Sequence, residues 1–199
     1  MDFLVFSFAA ALRLIGALSP DVVDAVRTSL SVAAGATVFA ALLGLPLGLL
    51  VGLSEFPLKR LGVTVLNTLM AVPTVVVGLL GYGFLSRQGP LGVLGLLFTP
   101  TAIVIGGTLL AAPIVANYAL ASVRGADPRI VPTALTLGAG RLRAVATLIG
   151  EIRFGILAAV IAGFGRVVSE VGVAMMRGGN IRGYTRTMTT AIALETSKG

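Results

Sequence analysis

The sequence has no histidine, no cysteine and no tryptophan, and only 12% of its 199 residues are charged. Without histidine and cysteine, the chain has no thiol nucleophile, no disulfide and none of the nitrogen and sulfur ligands of typical zinc sites. A soluble domain carries about 25% charged residues, whereas 56% of this chain is hydrophobic. The chain has too little polar surface for a water-soluble fold. We therefore expect an all-α integral membrane protein.

Three uncharged runs are long enough to cross a membrane as a helix, which takes about 20 apolar residues. They cover residues 28–54, 61–86 and 88–123, and the last one starts with a loop rich in Gly and Pro. We place the spans near 28–53, 61–86 and 101–123, and a fourth near 154–176. Arg166 and Glu170 interrupt the fourth span, and residues four apart share one face of a helix. The pair either tethers this helix as an ion pair or lines a water-filled path.

The first 27 residues are assigned to a separate N-terminal segment. Residues 3–18 are apolar apart from Arg13, but they are too few for a typical span. We expect an amphipathic helix in the membrane interface, followed by a turn at 20–24, with a short additional span as the alternative.

Positively charged residues are concentrated in two of the loops, which predicts the orientation of the chain. Residues 55–60 hold one Lys and one Arg, and residues 124–153 hold five Arg, whereas the loop between them holds only Arg87. Loops rich in Lys and Arg stay in the cytoplasm, so the N-terminus is expected outside. Arg177, Arg182 and Arg186 then fall on the outer side, where attraction of an anion would explain them.

Glycine and proline within the runs predict how the spans pack. Gly44, Gly48 and Gly52 are spaced four apart, which lets two membrane helices approach closely. Pro73 and Pro113 are each expected to interrupt a span, because proline removes a helical hydrogen bond.

A polar segment at 127–156 is expected to form a helix–turn–helix elbow. Apolar residues recur with helical spacing on both sides of Gly138 and Gly140, which separate two short helices. An arginine-rich elbow on the cytoplasmic side suits docking into a partner protein, and a connector without a partner is the alternative.

This elbow resembles the cytoplasmic signature of the permease subunits of binding-protein-dependent ABC importers. That signature reads Glu-Ala-Ala, three residues, Gly, nine residues and Ile-x-Leu-Pro. The chain matches it at Ala134, Leu137, Gly138 and Ala139, with Leu148 at the position of the Ile. It departs from the signature at its two ends, at 132–133 and 150–151.

The remainder of the chain resembles the tungstate/molybdate-type oxyanion permeases, and most of all their tungstate branch. The resemblance rests on the segments GFGR, SEVG, AMM-x-GGNI and TRTMTTAIALETSKG between residues 163 and 199. It implies a MetI-like ABC importer permease bundle, a member of the binding-protein-dependent transport inner-membrane component family. Residues 28–199 would form this transmembrane domain, with about four spans. Family members end with a further helix, which is expected to be missing here.

The resemblance implies a function and a set of partners. The chain would be the permease subunit of an ATP-driven importer of tungstate, or of molybdate or sulfate, in a prokaryotic cytoplasmic membrane. Its partners would be an ABC ATPase dimer, an extracytoplasmic oxyanion-binding protein, a second copy of the permease and membrane lipid, but no nucleic acid. The chain would bind no cofactor and catalyse no reaction, since ATP and Mg would be bound by the ATPase. No G-x-x-x-x-G-K-[ST] motif for ATP binding occurs in the sequence.

The resemblance also implies two groups of site residues. Contacts to the ATPase are expected from Ala134, Leu137, Gly138, Ala139, Arg141 and Arg143, with 134–143 as the coupling helix and Gly138 as its turn. The translocation path is expected along Arg166, Glu170, Gly172, Met175, Met176, Gly178, Gly179, Asn180, Thr185, Thr187 and Thr189. Backbone N–H, amide and hydroxyl groups would act as weak, repeated donors to a hydrated dianion, and the methionines as an adaptable gate. An ordinary turn and core methionines are the alternative interpretation.

Two other functional classes remain as alternatives. An ion-coupled secondary transporter would need buried carboxylates, and Glu170 is the single acidic residue within a predicted span. An intramembrane enzyme is disfavoured by the absence of histidine and cysteine.

Overall fold

The computed structural model describes residues 19–198, and every regular element in that part of the chain is helical. The interfacial helix predicted at 3–18 lies outside the described residues. The helices are α1 Pro20–Leu53, α2 Lys59–Met70, α3 Thr74–Leu85, α4 Pro100–Gly125, α5 Ile130–Thr136, α6 Arg141–Glu151, α7 Arg153–Val168, α8 Gly172–Gly178 and α9 Met188–Ser197, with a 3₁₀ turn at Gly92–Leu94. The expected all-α class is confirmed.

Two helices, α1 and α4, are each long and apolar enough to cross a membrane. The described residues contain up to four spans if each of two bent helix pairs counts as one, namely α2 with α3 and α6 with α7. The axes of α6 and α7 differ in direction by 66°. This agrees with about four spans.

Helix α1 begins at Pro20, where the sequence predicted a turn at 20–24 and a span that starts only at residue 28. The carbonyl oxygen of Ser19 accepts the N–H groups of Val22 and Val23 at 3.0 and 3.1 Å. Proline suits the first helical position because its missing N–H would have no partner there. Asp21 in the first turn interacts favourably with the helix dipole. The predicted turn is therefore the first turn of the helix.

Two stretches that were expected to be single spans consist of separate helices. The stretch 61–86 is interrupted between Met70 and Thr74, and the stretch 154–176 between Val168 and Gly172. Pro73 explains the first break, because proline disfavours a helical conformation in the preceding residue. Pro113, expected to interrupt a span, lies inside the continuous helix α4. Its own carbonyl oxygen accepts a hydrogen bond from the Asn117 amide at 3.0 Å.

The described chain divides into two compact units. One consists of residues 19–34, 74–106 and 168–198, and its small core contains Val32, Ile103 and Ala174. In this first unit α3 packs against α8. The second unit consists of residues 35–73 and 107–167.

In the second unit, α1 and α4 pack backbone to backbone at the predicted glycines. A Cβ atom on Gly44 would lie 2.6 Å from the carbonyl oxygen of Ala112, and one on Gly48 would overlap the carbonyl oxygen of Ala116. A Cβ on Gly52 would lie 2.9 Å from the side chain of Val123. The residue numbers of both helices increase in the same direction along these three contacts, so the two helices run parallel. The close approach predicted from the glycine spacing is confirmed.

The parallel direction of α1 and α4 determines the path of the chain between them. Two spanning helices that point the same way must be joined by a segment that crosses back. Only residues 54–99 lie between α1 and α4, and they include α2 and α3, which reach the length and apolar composition of a span only as a pair.

The outward face of α1 is apolar, as expected for a helix that contacts lipid. An exposed apolar surface of this size would be unfavourable in water, which agrees with a membrane protein. Its exposed large side chains in the second unit are Val38, Phe39, Leu42, Leu43, Leu47, Leu50 and Leu53.

Candidate functional site

The elbow between α5 and α6 is built around a glycine that no other residue replaces without strain. Gly138 has φ +86°, a left-handed conformation that favours glycine. Its N–H donates to the carbonyl oxygen of Leu135 and that of Ala139 donates to Ala134, both at 3.0 Å. This pair of bonds is the Schellman motif, which ends a helix and turns the chain sharply. The chain then enters α6 at Arg141 and packs it against α5.

The residues proposed for coupling therefore form a bend between two helices. The segment 134–143, expected to be the coupling helix with Gly138 as its turn, contains the last turn of α5, the bend and the first turn of α6. The left-handed conformation of Gly138 lies at this turn.

The surface of this bend is unusually apolar for an exposed turn. Leu137 is 82% exposed and Leu142 is 90% exposed. Arg141 and Arg143 are also exposed, whereas Ala134 and Ala139 are half-buried. A cavity of about 520 Å³ lies between the two helices, and Ala134, Leu137, Ala139 and Arg143 belong to its lining. The bend thus presents two leucines and two arginines around a hollow, an arrangement suited to a protein partner.

In the first unit, the predicted path residues after α8 come together in one tight loop. Gly179 and Asn180 have φ +69° and +52°, and the N–H of Gly179 donates to the carbonyl oxygen of Met175 at 3.0 Å. The Asn180 amide donates to the carbonyl oxygen of Thr190 at 3.3 Å, and its oxygen accepts from Arg186 Nε at 3.2 Å. The loop is thereby closed by its own side chains.

The threonine hydroxyls expected along the path bond to protein atoms in this conformation. Thr185 is fully buried; its hydroxyl donates to the carbonyl oxygen of Gly178 and accepts the N–H of Ile181 at 3.0 Å. Thr187 caps α9 together with Thr190, and the Thr189 hydroxyl donates to the carbonyl oxygen of Glu170 at 2.8 Å. Any contact of these hydroxyls with a substrate would require this loop to rearrange. Their role in the path stays a prediction.

Arg166 and Glu170 were expected on one face of a single helix, but they do not lie on the same helix. Arg166 lies in the last turn of α7, and Glu170 lies beyond its end, in the break before α8. Glu170 is 6% exposed, and its Oε1 accepts the N–H of Val173 at 3.1 Å. The carboxylate thus caps the short helix α8, where the positive end of the helix dipole favours a negative charge.

The two methionines and Gly172 lie on α8. Met175 is 37% exposed and Met176 is half-buried. A Cβ on Gly78 of α3 would lie 2.9 Å from the Met176 sulfur, so this glycine leaves room for that side chain. Met176 therefore packs in the α3–α8 contact. Gly172 also lies in this contact, because its own Cβ would be 3.3 Å from the Thr74 hydroxyl.

Arg177, which the sequence places on the outer side of the membrane, is buried. Only 2% of it is exposed, and its Nη2 donates to the carbonyl oxygen of Val77 at 2.9 Å. Its carbonyl oxygen accepts the N–H of Phe98 at 2.7 Å. The guanidinium occupies the space that a side chain at Gly81 would fill. Sequence reasoning missed this buried position, although the glycines at 78 and 81 were a signal for a groove on α3.

The other two outer arginines of the prediction are more accessible. Arg182 is exposed and donates to the carboxylate of Asp21 from Nε at 2.6 Å and from Nη2. This hydrogen bond raises the pKa of Arg182 and lowers that of Asp21. Arg186 is half-buried against Asn180. The described part of the chain contains no cluster of three or more acidic residues that could hold a metal ion.

Comparison with known proteins gives a consistent result along the whole chain. No family model matches it. It is 42% identical to the tungstate uptake system permease protein TupB of Peptoclostridium acidaminophilum, over 100% of this chain and 87% of that protein. It is 40% identical to TupB of Campylobacter jejuni, over 100% of this chain and 83% of that protein. A probable anion ABC transporter permease protein of Haloferax volcanii is 39% identical over 89% of this chain and 78% of its own length.

Proposed function

Because the chain belongs to the family of oxyanion ABC transporter permeases that includes the tungstate uptake permeases, we propose that it forms the pore through which tungstate crosses the cytoplasmic membrane. The observation that carries this proposal is the similarity to two tungstate uptake permeases, which extends over the whole chain. A molybdenum transport permease, ModB of Escherichia coli, is more distant at 29% identity. Molybdate and sulfate are therefore the second candidates.

A permease of an ABC uptake system works with an ATPase and a substrate-binding protein. We assign the ATPase contact to the exposed bend around Gly138. The apolar area of Leu137 and Leu142 provides the affinity, and Arg141 and Arg143 provide charges that select the partner. The hollow between α5 and α6 gives a partner side chain a place to insert. Closure of the ATPase would then move α5 and α6 as rigid bodies.

The remaining partners follow from the same proposal. ATP and Mg bind to the ATPase, and this chain supplies no catalytic residue. A second copy of the permease completes the pore, and lipid contacts the apolar face of α1. The substrate-binding protein docks on the opposite side of the membrane from the bend.

The experiment is uptake of tungstate, molybdate and sulfate by vesicles that contain this permease with its ATPase and binding protein. We expect ATP-dependent uptake of tungstate, with slower uptake of the other two oxyanions. Leu137→Asp is expected to reduce uptake at least tenfold and to abolish co-purification of the ATPase, because it places a charge in an apolar contact. Leu137→Met, which keeps the apolar area, is the matched control and should retain both. Uptake of an oxyanion without ATP, or a bound ATPase in the Leu137→Asp variant, would contradict the proposal.

A further inference from the structure

Arg177 carries a buried positive charge in the first unit without a negative partner. Among the described residues, none of the salt bridges includes Arg177. A guanidinium has five N–H donors, but its one hydrogen bond goes to the carbonyl oxygen of Val77. The Nε atom is fully buried and has no hydrogen-bond partner. Most of the donor capacity of this side chain is therefore unused.

Two glycines on different helices make room for this guanidinium. A Cβ on Gly81 of α3 would overlap Nη2 and Cζ of Arg177, and a Cβ on Gly106 of α4 would lie 3.0 Å from Nη1. The backbone of both helices thus borders the guanidinium directly. The guanidinium fits between α3 and α4 because neither position carries a side chain. A side chain at Gly81 or Gly106 would displace it.

Stability does not explain such a residue. A buried charge without a counter-ion is unfavourable for stability, because no opposite charge offsets the loss of its hydration. Inside a membrane protein, charged side chains mark the paths of ions and substrates. The single hydrogen bond to Val77 is small compensation for the burial of a full charge.

We propose that Arg177 is a specificity-determining residue for the oxyanion in transit, which its Nε and Nη groups contact when α3 and α8 separate. This inference rests on the proposed function. A tetrahedral oxyanion with two negative charges has only acceptor atoms, and a guanidinium binds two of its oxygens at once through parallel N–H groups. The ion supplies the charge that Arg177 lacks, and Arg177 replaces part of the ion's hydration shell. In the present conformation the guanidinium is covered, so the contact belongs to a more open state of the cycle.

The position of Arg177 agrees with this role. It is the last side chain of α8 before the Gly178–Gly179–Asn180 loop, which holds the path residues predicted from the sequence. The packing of Met176 against Gly78 on the neighbouring turn makes the α3–α8 contact apolar and narrow. A contact of this kind opens and closes without breaking ion pairs, because Arg177 has none to break.

The test compares Arg177→Met and Arg177→Lys in vesicles that contain the complete transporter. Arg177→Met keeps the volume and removes the charge. We expect its maximal uptake rate to fall at least tenfold, while the thermal unfolding midpoint of the permease stays the same or rises. Arg177→Lys keeps the charge but not the two-point contact, and should recover part of the rate. Arg87→Met, at an exposed arginine in the same unit, is the control and should leave rate and midpoint unchanged.

The outcomes separate this inference from the proposed function. A wild-type uptake rate in Arg177→Met overturns the inference. A lost rate together with a lower unfolding midpoint also overturns it, because that result would mean that Arg177 holds α3 and α8 together. All variants are measured with tungstate, molybdate and sulfate. If the wild-type protein transports another oxyanion instead of tungstate, the substrate assignment is wrong, and the comparison of variants with that oxyanion still decides the role of Arg177.

Discussion

At the scale of single residues, glycine conformation decides where the bend between α5 and α6 lies. Gly138 and Gly140 are two residues apart, both are exposed, and a Cβ on either would meet no atom within 4 Å. They differ in backbone conformation, since Gly138 has φ +86° and Gly140, the N-cap residue of α6, has φ −67°. A methyl group would therefore have enough space at both positions, but at position 138 it would strain the backbone.

We predict that Gly138→Ala impairs transport and that Gly140→Ala does not. An L residue in the left-handed region costs about 1–2 kcal/mol, so the bend at 138 is expected to shift and to lose its fit to the ATPase. ATPase activity stimulated by the loaded binding protein should fall several-fold in Gly138→Ala. Equal activity of the two variants would show that the conformation of Gly138 is not required for coupling.

At the scale of helices, the packing of α1 on α4 depends on small residues. Without a hydrophobic driving force between helices in lipid, association relies on close van der Waals contact. Ala36 and Ala40 on α1 and Ala111, Ala116 and Ala119 on α4 are fully buried. Gly44 and Gly48 then bring the two backbones into contact. Glycine has the same role between α3 and α8, where Gly78 leaves room for Met176 and Gly81 for Arg177.

We predict that Gly48→Ala destabilises the protein by about 1–3 kcal/mol, the usual range for overpacking. The added methyl group would overlap the carbonyl oxygen of Ala116 and lie 2.8 Å from the Cβ of Ala119. Thermal unfolding in detergent measures the effect. Gly165→Ala on α7, where a Cβ meets nothing within 4 Å, is the control and should be neutral or slightly stabilising. Similar midpoints for both variants would argue against the close α1–α4 contact.

At the scale of the whole molecule, the parallel α1 and α4 and the distribution of positive charge predict one topology. The bend at 137–140 faces the cytoplasm together with residues 54–58, and residues 86–99 face the outside. This topology brings the ATPase and the binding protein to opposite sides of the membrane, as an importer requires. It also places the exposed loop around Val93 on the side of the binding protein.

The absence of native cysteine makes this topology directly measurable. Val93 is 99% exposed and Thr136 is exposed beside the bend, so single cysteines at these positions will react with a membrane-impermeant maleimide wherever it has access. We predict that Val93→Cys is labelled in intact spheroplasts and that Thr136→Cys is labelled only after permeabilisation. Full labelling of both in detergent is the control. Labelling of Thr136→Cys in intact spheroplasts would reverse the orientation and exclude the ATPase contact proposed for the bend.

The sequence by itself determined the class, the approximate spans, the glycine contact of α1 and the two-helix elbow. Each of these features depends on local composition or on the spacing of residues along one helix. Neither depends on which other helices pack nearby. The start of α1 at Pro20 was also readable from local signals, because serine, proline and an acidic residue mark a helix start, but the proline was taken for a turn.

Only the tertiary structure decided the surroundings of the site residues. The sequence shows neither that Arg177 is buried in a slot formed by Gly81 and Gly106, nor that the Thr185 hydroxyl is already bonded within its own loop. These facts depend on contacts between residues 70 to 100 positions apart, or on a loop that folds back on itself. Periodicity records which face of a helix is apolar, but it does not record which neighbour that face meets. The sequence alone could therefore not show that the charge of Arg177 is buried.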